Sequence, residues 1–73
     1  MDCKFIVIKS KIRIDGVKYT VYGIACCCNG EITAEFKDIT FNINEIEYLC
    51  DYMNSNEIKA VHFYDIIEDF LAK

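Results

Sequence analysis

Two turn signals on either side of a twelve-residue stretch limit the possible folds more than any other feature of this sequence. Asp15-Gly16 and Asn29-Gly30 are dipeptides of the kind that supply two consecutive positive-φ residues to a type I′ hairpin turn. The stretch between them, residues 17–28, is therefore predicted to be the middle strand of a three-stranded antiparallel meander.

Hydrophobic alternation sets the register of this meander. In the first strand, isoleucines at even positions alternate with the basic residues Lys9, Lys11 and Arg13. A two-residue turn places Ile14 opposite Val17 and, at the far end, Cys3 opposite Cys28. The second turn places Cys27 opposite Ile32 and Gly23 opposite Phe36. A slip of one residue would reverse the faces, so the alternation and the turns support one register.

Helical periodicity begins after the third strand. Asn42 is predicted to cap a helix over about residues 43–53, because its side chain can accept from free N–H groups at the helix start. A second helix is expected over about residues 60–72. The prediction is one α+β domain over residues 1–73, with a sheet over about residues 3–39 and both helices packed on one of its faces.

The two helices are predicted to cover the face that carries the isoleucines, with Gly23 making room for a helix above it. The opposite face would then stay free of helices and expose apolar and thiol side chains. These predicted interface residues are Cys3, Phe5, Val7, Tyr22, Ile24, Cys26 and Cys28. Exposed apolar patches of this kind often mark binding surfaces. We therefore expect an interaction or regulatory module that forms a homodimer through this face. An unidentified protein is the other partner considered for the same face.

The cysteines support a second hypothesis. Five cysteines in a chain without an export signal are expected to be reduced thiols. Cys27 points away from its two neighbours, because consecutive strand residues alternate faces. Cys3, Cys26 and Cys28 remain as a set that could serve a thiol-based metal or redox sensor. Packing is the favoured interpretation of these cysteines, and no cofactor or metal is expected.

The charge distribution suggests a third hypothesis. The formal net charge is −4, yet residues 1–18 carry five basic and two acidic side chains. This end of the sheet holds a basic patch, which consists of Lys9, Lys11, Arg13 and Lys18. Weak nucleic-acid binding through this patch is possible, but the acidic protein as a whole repels phosphate, so nucleic acid is an unlikely partner.

Catalysis and membrane insertion are not expected. His62, Asp65 and Asp69 share a helical face, but this spacing is more typical of a solvated surface than of a metal site. No catalytic triad, carboxylate dyad or phosphate-binding glycine loop is present. The chain also lacks a signal peptide and any apolar run of about 18–20 residues, so a cytoplasmic location without membrane contact is predicted.

Three phrases carry a resemblance to a known family: VYGI at residues 21–24, FKDIT at 36–40 and HFYDIIEDFL at 62–71. Together they resemble a family of short, uncharacterised proteins from anaerobic Gram-positive bacteria, classed as a domain of unknown function. The similarity runs from about residue 18 to residue 71. It implies a bacterial cytoplasmic origin and a compact single domain, and it brings no activity with it.

Overall fold

A computed structural model describes residues 3–72 as three antiparallel strands followed by helices. The strands form one sheet in the order β1-β2-β3, namely β1 (Cys3–Ile14), β2 (Val17–Cys28) and β3 (Glu31–Thr40). Helix α1 spans Ile43–Ser55, and a 3₁₀ turn at Ala60–His62 leads into helix α2, Phe63–Leu71. The predicted α+β architecture is therefore confirmed. Among the described residues, neither helix has the length and apolar character needed to cross a membrane.

Both predicted turns have the backbone conformation that their sequences favour. Asp15 and Gly16 have φ angles of 50° and 81°, and Asn29 and Gly30 have φ angles of 54° and 81°. The β1–β2 register is the predicted one along its whole length, from Ile14 opposite Val17 to Cys3 opposite Cys28.

The β2–β3 register is confirmed only next to its turn, where Cys27 lies opposite Ile32. Cys26 then pairs with Ala34, so Thr33 is an extra residue that bulges out of β3. The predicted pairing of Gly23 with Phe36 is wrong, because after this bulge Phe36 lies opposite Ile24. The bulge thus moves the Phe36 side chain to the other face of the sheet.

Gly23 makes room for a neighbouring strand and not, as predicted, for a helix. A Cβ atom on Gly23 would overlap the carbonyl oxygen of Phe36 and lie 2.9 Å from the Cα atom of Lys37. Close to this contact the register shifts again, and Asp38 has a φ of 58°. The backbone of β3 therefore crosses tightly over the middle of β2.

The helices cover the face opposite to the one predicted. Ile24 and Phe5 are buried in one cluster with Ile46 and Met53 of α1 and Phe63 of α2. The large side chains on this face are concentrated near one end of the sheet, where two short helices can cover them. The isoleucines of the other face are spread along β1, from Ile6 to Ile14.

Helix α1 begins where the sequence predicts. The Asn42 side chain accepts from the backbone N–H groups of Asn44 and Glu45, at 2.9 and 3.4 Å. The Thr40 hydroxyl donates to the Glu45 carboxylate at 2.7 Å and accepts from the Asn42 backbone N–H at 3.1 Å. These bonds fix the direction in which the chain leaves β3 and crosses the sheet.

The C-terminal end of α1 is tied to the free edge of β1 by Asn54. Its Oδ1 atom accepts from the Phe5 backbone N–H at 2.8 Å, and its Nδ2 atom donates to the Phe5 carbonyl at 2.9 Å. One side-chain amide thus replaces the pair of hydrogen bonds that a further strand would make.

Replacing Asn54 with alanine should lower the free energy of unfolding by about 1–3 kcal/mol, because the Phe5 N–H loses its partner and the Phe5 carbonyl keeps only the Cys50 thiol. Urea denaturation followed by circular dichroism measures this change. Ser55→Ala is the matched control, since this neighbouring residue is exposed, and it should change the stability little. Equal stability of the two variants would contradict the assigned role of Asn54.

Candidate functional site

The residues that were predicted to form an exposed interface lie beneath the helices. Four of them are buried in the core, with exposed fractions of 3% for Phe5, 0% for Ile24 and Cys26, and 8% for Cys28. The other three, Cys3, Val7 and Tyr22, are half-buried and pack against the same cluster. The assignment of these residues to a helix-free surface is therefore wrong, although their sharing one face is correct.

The helix-free side of the sheet, here called the open face, carries the isoleucine alternation instead. Its side chains are mainly large and apolar, and they belong to Ile6, Ile8, Ile12, Ile14, Val17, Tyr19 and Ile32. The exposed fraction is 47% for Ile14, 53% for Val17, 43% for Tyr19 and 53% for Ile32. Near one end of this face the Phe41 ring packs edge-on against Tyr19, with ring centroids 6.1 Å apart.

The basic patch lies on the other side of the sheet, beyond the helices. The last β2–β3 pair is Tyr22 with Thr40, so the tip of the β1–β2 hairpin projects as a two-stranded ribbon. All four basic residues, Lys9, Lys11, Arg13 and Lys18, are exposed on this ribbon. The ribbon is therefore basic on one face and apolar on the other.

Three cysteines meet at the opposite end of the sheet and form what we call the cysteine cluster: Cys3, Cys26 and Cys28. Cys26 and Cys28 are two residues apart on β2 and share a face, while β1 brings Cys3 directly opposite Cys28. The Sγ atoms all lie within 4.8 Å of one another, and those of Cys26 and Cys28 are 3.8 Å apart. Within residues 3–72, this is the group of His, Cys, Asp or Glu side chains close enough to hold a metal ion.

Cys3 and Cys28 form a disulfide, with their Cα atoms 4.0 Å apart. The expectation that these two cysteines are reduced thiols is therefore corrected. Directly opposed residues on antiparallel strands approach closely enough for such a cross-link at non-hydrogen-bonded pairs. Cys26, Cys27 and Cys50 are free thiols, and Cys27 is half-buried on the open face.

Thr33 and a surface groove complete the surroundings of the cysteine cluster. The bulge in β3 places the Thr33 hydroxyl 3.8 Å from the Cys28 Sγ atom and 3.3 Å from the Cys26 carbonyl oxygen, to which it donates. Cys3 also lines an open groove together with Met53, Ile58 and Lys59. No glycine or proline marks the bulge in the sequence, so sequence patterns alone do not place Thr33 near the cluster.

Cys50 is separate from the cysteine cluster. Its thiol donates to the Phe5 carbonyl at 3.2 Å. Burial raises the pKa of this thiol, the nearby Asp51 carboxylate raises it further, and a hydrogen bond from Asn54 partly offsets the rise. Cys50 is therefore held as a neutral packing residue over the ordinary pH range.

His62 lies on a solvated surface, as its spacing from Asp65 and Asp69 predicts. The His62 Nδ1 atom is 4.0 Å from an Asp65 carboxylate oxygen, and both side chains are largely exposed. An exposed pair of this kind contributes little to stability.

A family model matches the whole chain, residues 1–73, and its description is a family of unknown function, DUF6514. The chain belongs to this family. The DUF6514 match extends the resemblance seen at residues 18–71 to both ends of the chain. No curated protein and no solved structure shows significant similarity to the chain. For this DUF6514 protein, function has to be argued from the open face and the cysteine cluster.

Proposed function

We propose that this protein is a non-catalytic interaction module of the bacterial cytoplasm that forms a homodimer through its open face. The observation that supports this proposal is a row of apolar side chains on the open face. No helix of the same molecule covers this row, and Val17 and Ile32 are each 53% exposed. Large exposed apolar patches often mark interaction sites, because leaving them in water is unfavourable.

The size of the open face determines how much of it a second copy would have to cover. The longest dimension of the molecule is 43 Å. A twelve-residue strand is about 40 Å long and neighbouring strands are about 4.8 Å apart, so two to three strands cover roughly 400–550 Å² before side-chain relief is added. A stable interface buries about 800 Å² per partner. The dimer therefore has to use the whole length of the face.

Charge favours one orientation of the two sheets. If the strands of the two copies ran in the same direction, the two basic ribbons would lie side by side and repel each other. With the strands antiparallel across the interface, each ribbon lies over the opposite end of the partner sheet, where Glu35 is exposed on the open face. Val17 of one copy then lies close to Ile32 of the other.

Nucleic acid is a weaker proposal for the partner. The basic patch is exposed, but the protein carries a net charge of −4. Phosphate contacts dominate the affinity for nucleic acid, so the overall repulsion opposes binding.

A charge-swap experiment tests the dimer and its orientation together. Light scattering of the wild-type protein at micromolar concentration should give twice the 8.5 kDa chain mass. Val17→Glu and Ile32→Lys should each give monomers, because each buries an unpaired charge in the interface. The double variant should recover dimers, since Glu and Lys at these positions would meet across the antiparallel interface.

Val61→Glu is the matched control, because Val61 is 77% exposed on the 3₁₀ turn, away from the sheet. This variant should stay dimeric, and all variants should keep the wild-type circular dichroism spectrum. A monomeric wild-type protein would refute the homodimer. Failure of the double variant to recover dimers would refute the antiparallel arrangement.

A further inference from the structure

The cysteine cluster offers three sulfur ligands from two neighbouring strands. Cys3 comes from β1, Cys26 and Cys28 come from β2, and the β1–β2 hairpin fixes their relative positions. Cys26 is fully buried, Cys28 is 8% exposed and Cys3 is half-buried. The ligands are thus held by the fold and are not carried on a flexible loop.

The spacing of the Cys26 and Cys28 sulfurs matches that of a thiolate site. A Zn–S bond is about 2.3 Å long, so two thiolates of a tetrahedral site lie about 3.8 Å apart. The Sγ atoms of Cys26 and Cys28 are 3.8 Å apart, and all three Sγ atoms lie within 4.8 Å of one another. Cys3 and Cys28 are joined in the disulfide, so their sulfurs first have to separate on reduction. A single ion can then bind all three sulfurs once the side chains have rotated.

The surroundings suit a soft ion. The Thr33 hydroxyl lies 3.8 Å from the Cys28 Sγ atom and can donate to a thiolate there. The groove beside Cys3 gives a route from solvent, and Lys59 in its lining supplies positive charge near an anionic metal–thiolate group. Thiolates select Zn²⁺ or Cu⁺ over hard cations such as Mg²⁺.

We propose that the reduced protein binds one thiophilic metal ion through Cys3, Cys26 and Cys28, and that the Cys3–Cys28 disulfide is the oxidised, metal-free form of the same site. Metal binding releases the protons of the three thiols, which bind as thiolates. A small-molecule disulfide is the oxidant: its S–S bond breaks, it takes two electrons from the Cys3 and Cys28 thiolates and two protons from water, and it leaves as two thiols while the Cys3–Cys28 bond forms. Only the Cys26 sulfur then remains as a free thiol ligand, so the ion is released.

Cadmium titration tests the proposal, because Cd²⁺ bound to thiolates absorbs in the ultraviolet. The protein is first reduced and freed of reductant without oxygen. The absorption should rise until one Cd²⁺ is bound per chain, and the thermal midpoint should rise with it. Protein that keeps the Cys3–Cys28 disulfide should show neither change. Competition with Zn²⁺ and, separately, with Cu⁺ then shows which of the two ions displaces Cd²⁺.

Cysteine variants separate this site from chance thiol binding. Cys26→Ser and, at the accessible strand end, Cys3→Ser should lose the saturable absorption, whereas Cys27→Ser and Cys50→Ser should keep it. Circular dichroism verifies that each variant is folded, and Cys3→Ser remains informative if buried Cys26→Ser does not fold. Equal Cd²⁺ uptake by Cys3→Ser and wild type, or by the reduced and disulfide forms, would overturn the proposal.

Discussion

Phe63→Ala should be the most damaging single substitution in the helical layer. Phe63 is fully buried, and its ring stacks on Phe5 with centroids 5.8 Å apart, which joins α2 to β1. Removing a buried phenylalanine ring costs about 3–5 kcal/mol. A domain of 73 residues has a total stability of roughly 4–11 kcal/mol, so a large fraction of this variant should be unfolded or near its unfolding transition.

Urea denaturation and thermal melts measure this loss. Val61→Ala is the control, because Val61 lies two residues away and is 77% exposed. It should change the free energy of unfolding by less than about 0.5 kcal/mol. Equal stability of the two variants would contradict the packing of Phe63 in α2 against Phe5 in β1.

Gly23→Ala should have the second large effect, through the backbone of the sheet. The added methyl group would overlap the Phe36 carbonyl oxygen and lie 2.9 Å from the Lys37 Cα atom, and both belong to the main chain. Strand β3 would have to move away from β2, which should cost about 3 kcal/mol or more. The midpoint of urea denaturation measures this cost.

Gly30→Asn is the control variant. It distinguishes the destabilisation caused by a steric clash from the destabilisation caused by replacing a glycine in general. Gly30 has a φ of 81°, and a Cβ atom there meets nothing within 4 Å. Asparagine tolerates this conformation, so the cost should be roughly 1 kcal/mol or less. A Gly23→Ala protein as stable as Gly30→Asn would show that β3 does not pass as closely over Gly23 as the structure places it.

The β1–β2 half of the fold could be predicted because its determinants are local. Asp15-Gly16 fixes the turn, and the alternation of isoleucines with basic residues fixes the register through to Cys3 and Cys28. The meeting of Cys3, Cys26 and Cys28 follows from that register alone, so the cysteine cluster was predictable. The disulfide was not, because the absence of an export signal predicts reduced thiols, whereas the close approach of Cys3 and Cys28 favours a cross-link.

The side of the sheet that the helices cover could not be predicted, because both faces of β2 are apolar. The choice depends on contacts between residues far apart in sequence, such as the Phe5 and Phe63 rings. It also depends on the bulge at Thr33, which moves Phe36 to the face of Ile24. No glycine or proline marks this bulge. Strict alternation of side chains along β3 therefore assigns the residues after Thr33 to the wrong faces of the sheet.

The Asn54 amide has a consequence for how the sheet can grow. A free edge strand is a template on which a strand of another molecule can add, and this is a common start of aggregation. Here both hydrogen-bonding groups of Phe5 that point outward from β1 are already occupied by Asn54. An incoming strand would have to displace α1 from that position, so edge-to-edge extension across this part of β1 is blocked. Association through the flat side of the sheet about a two-fold axis would give a closed pair, whereas head-to-tail edge addition would give an unlimited fibre.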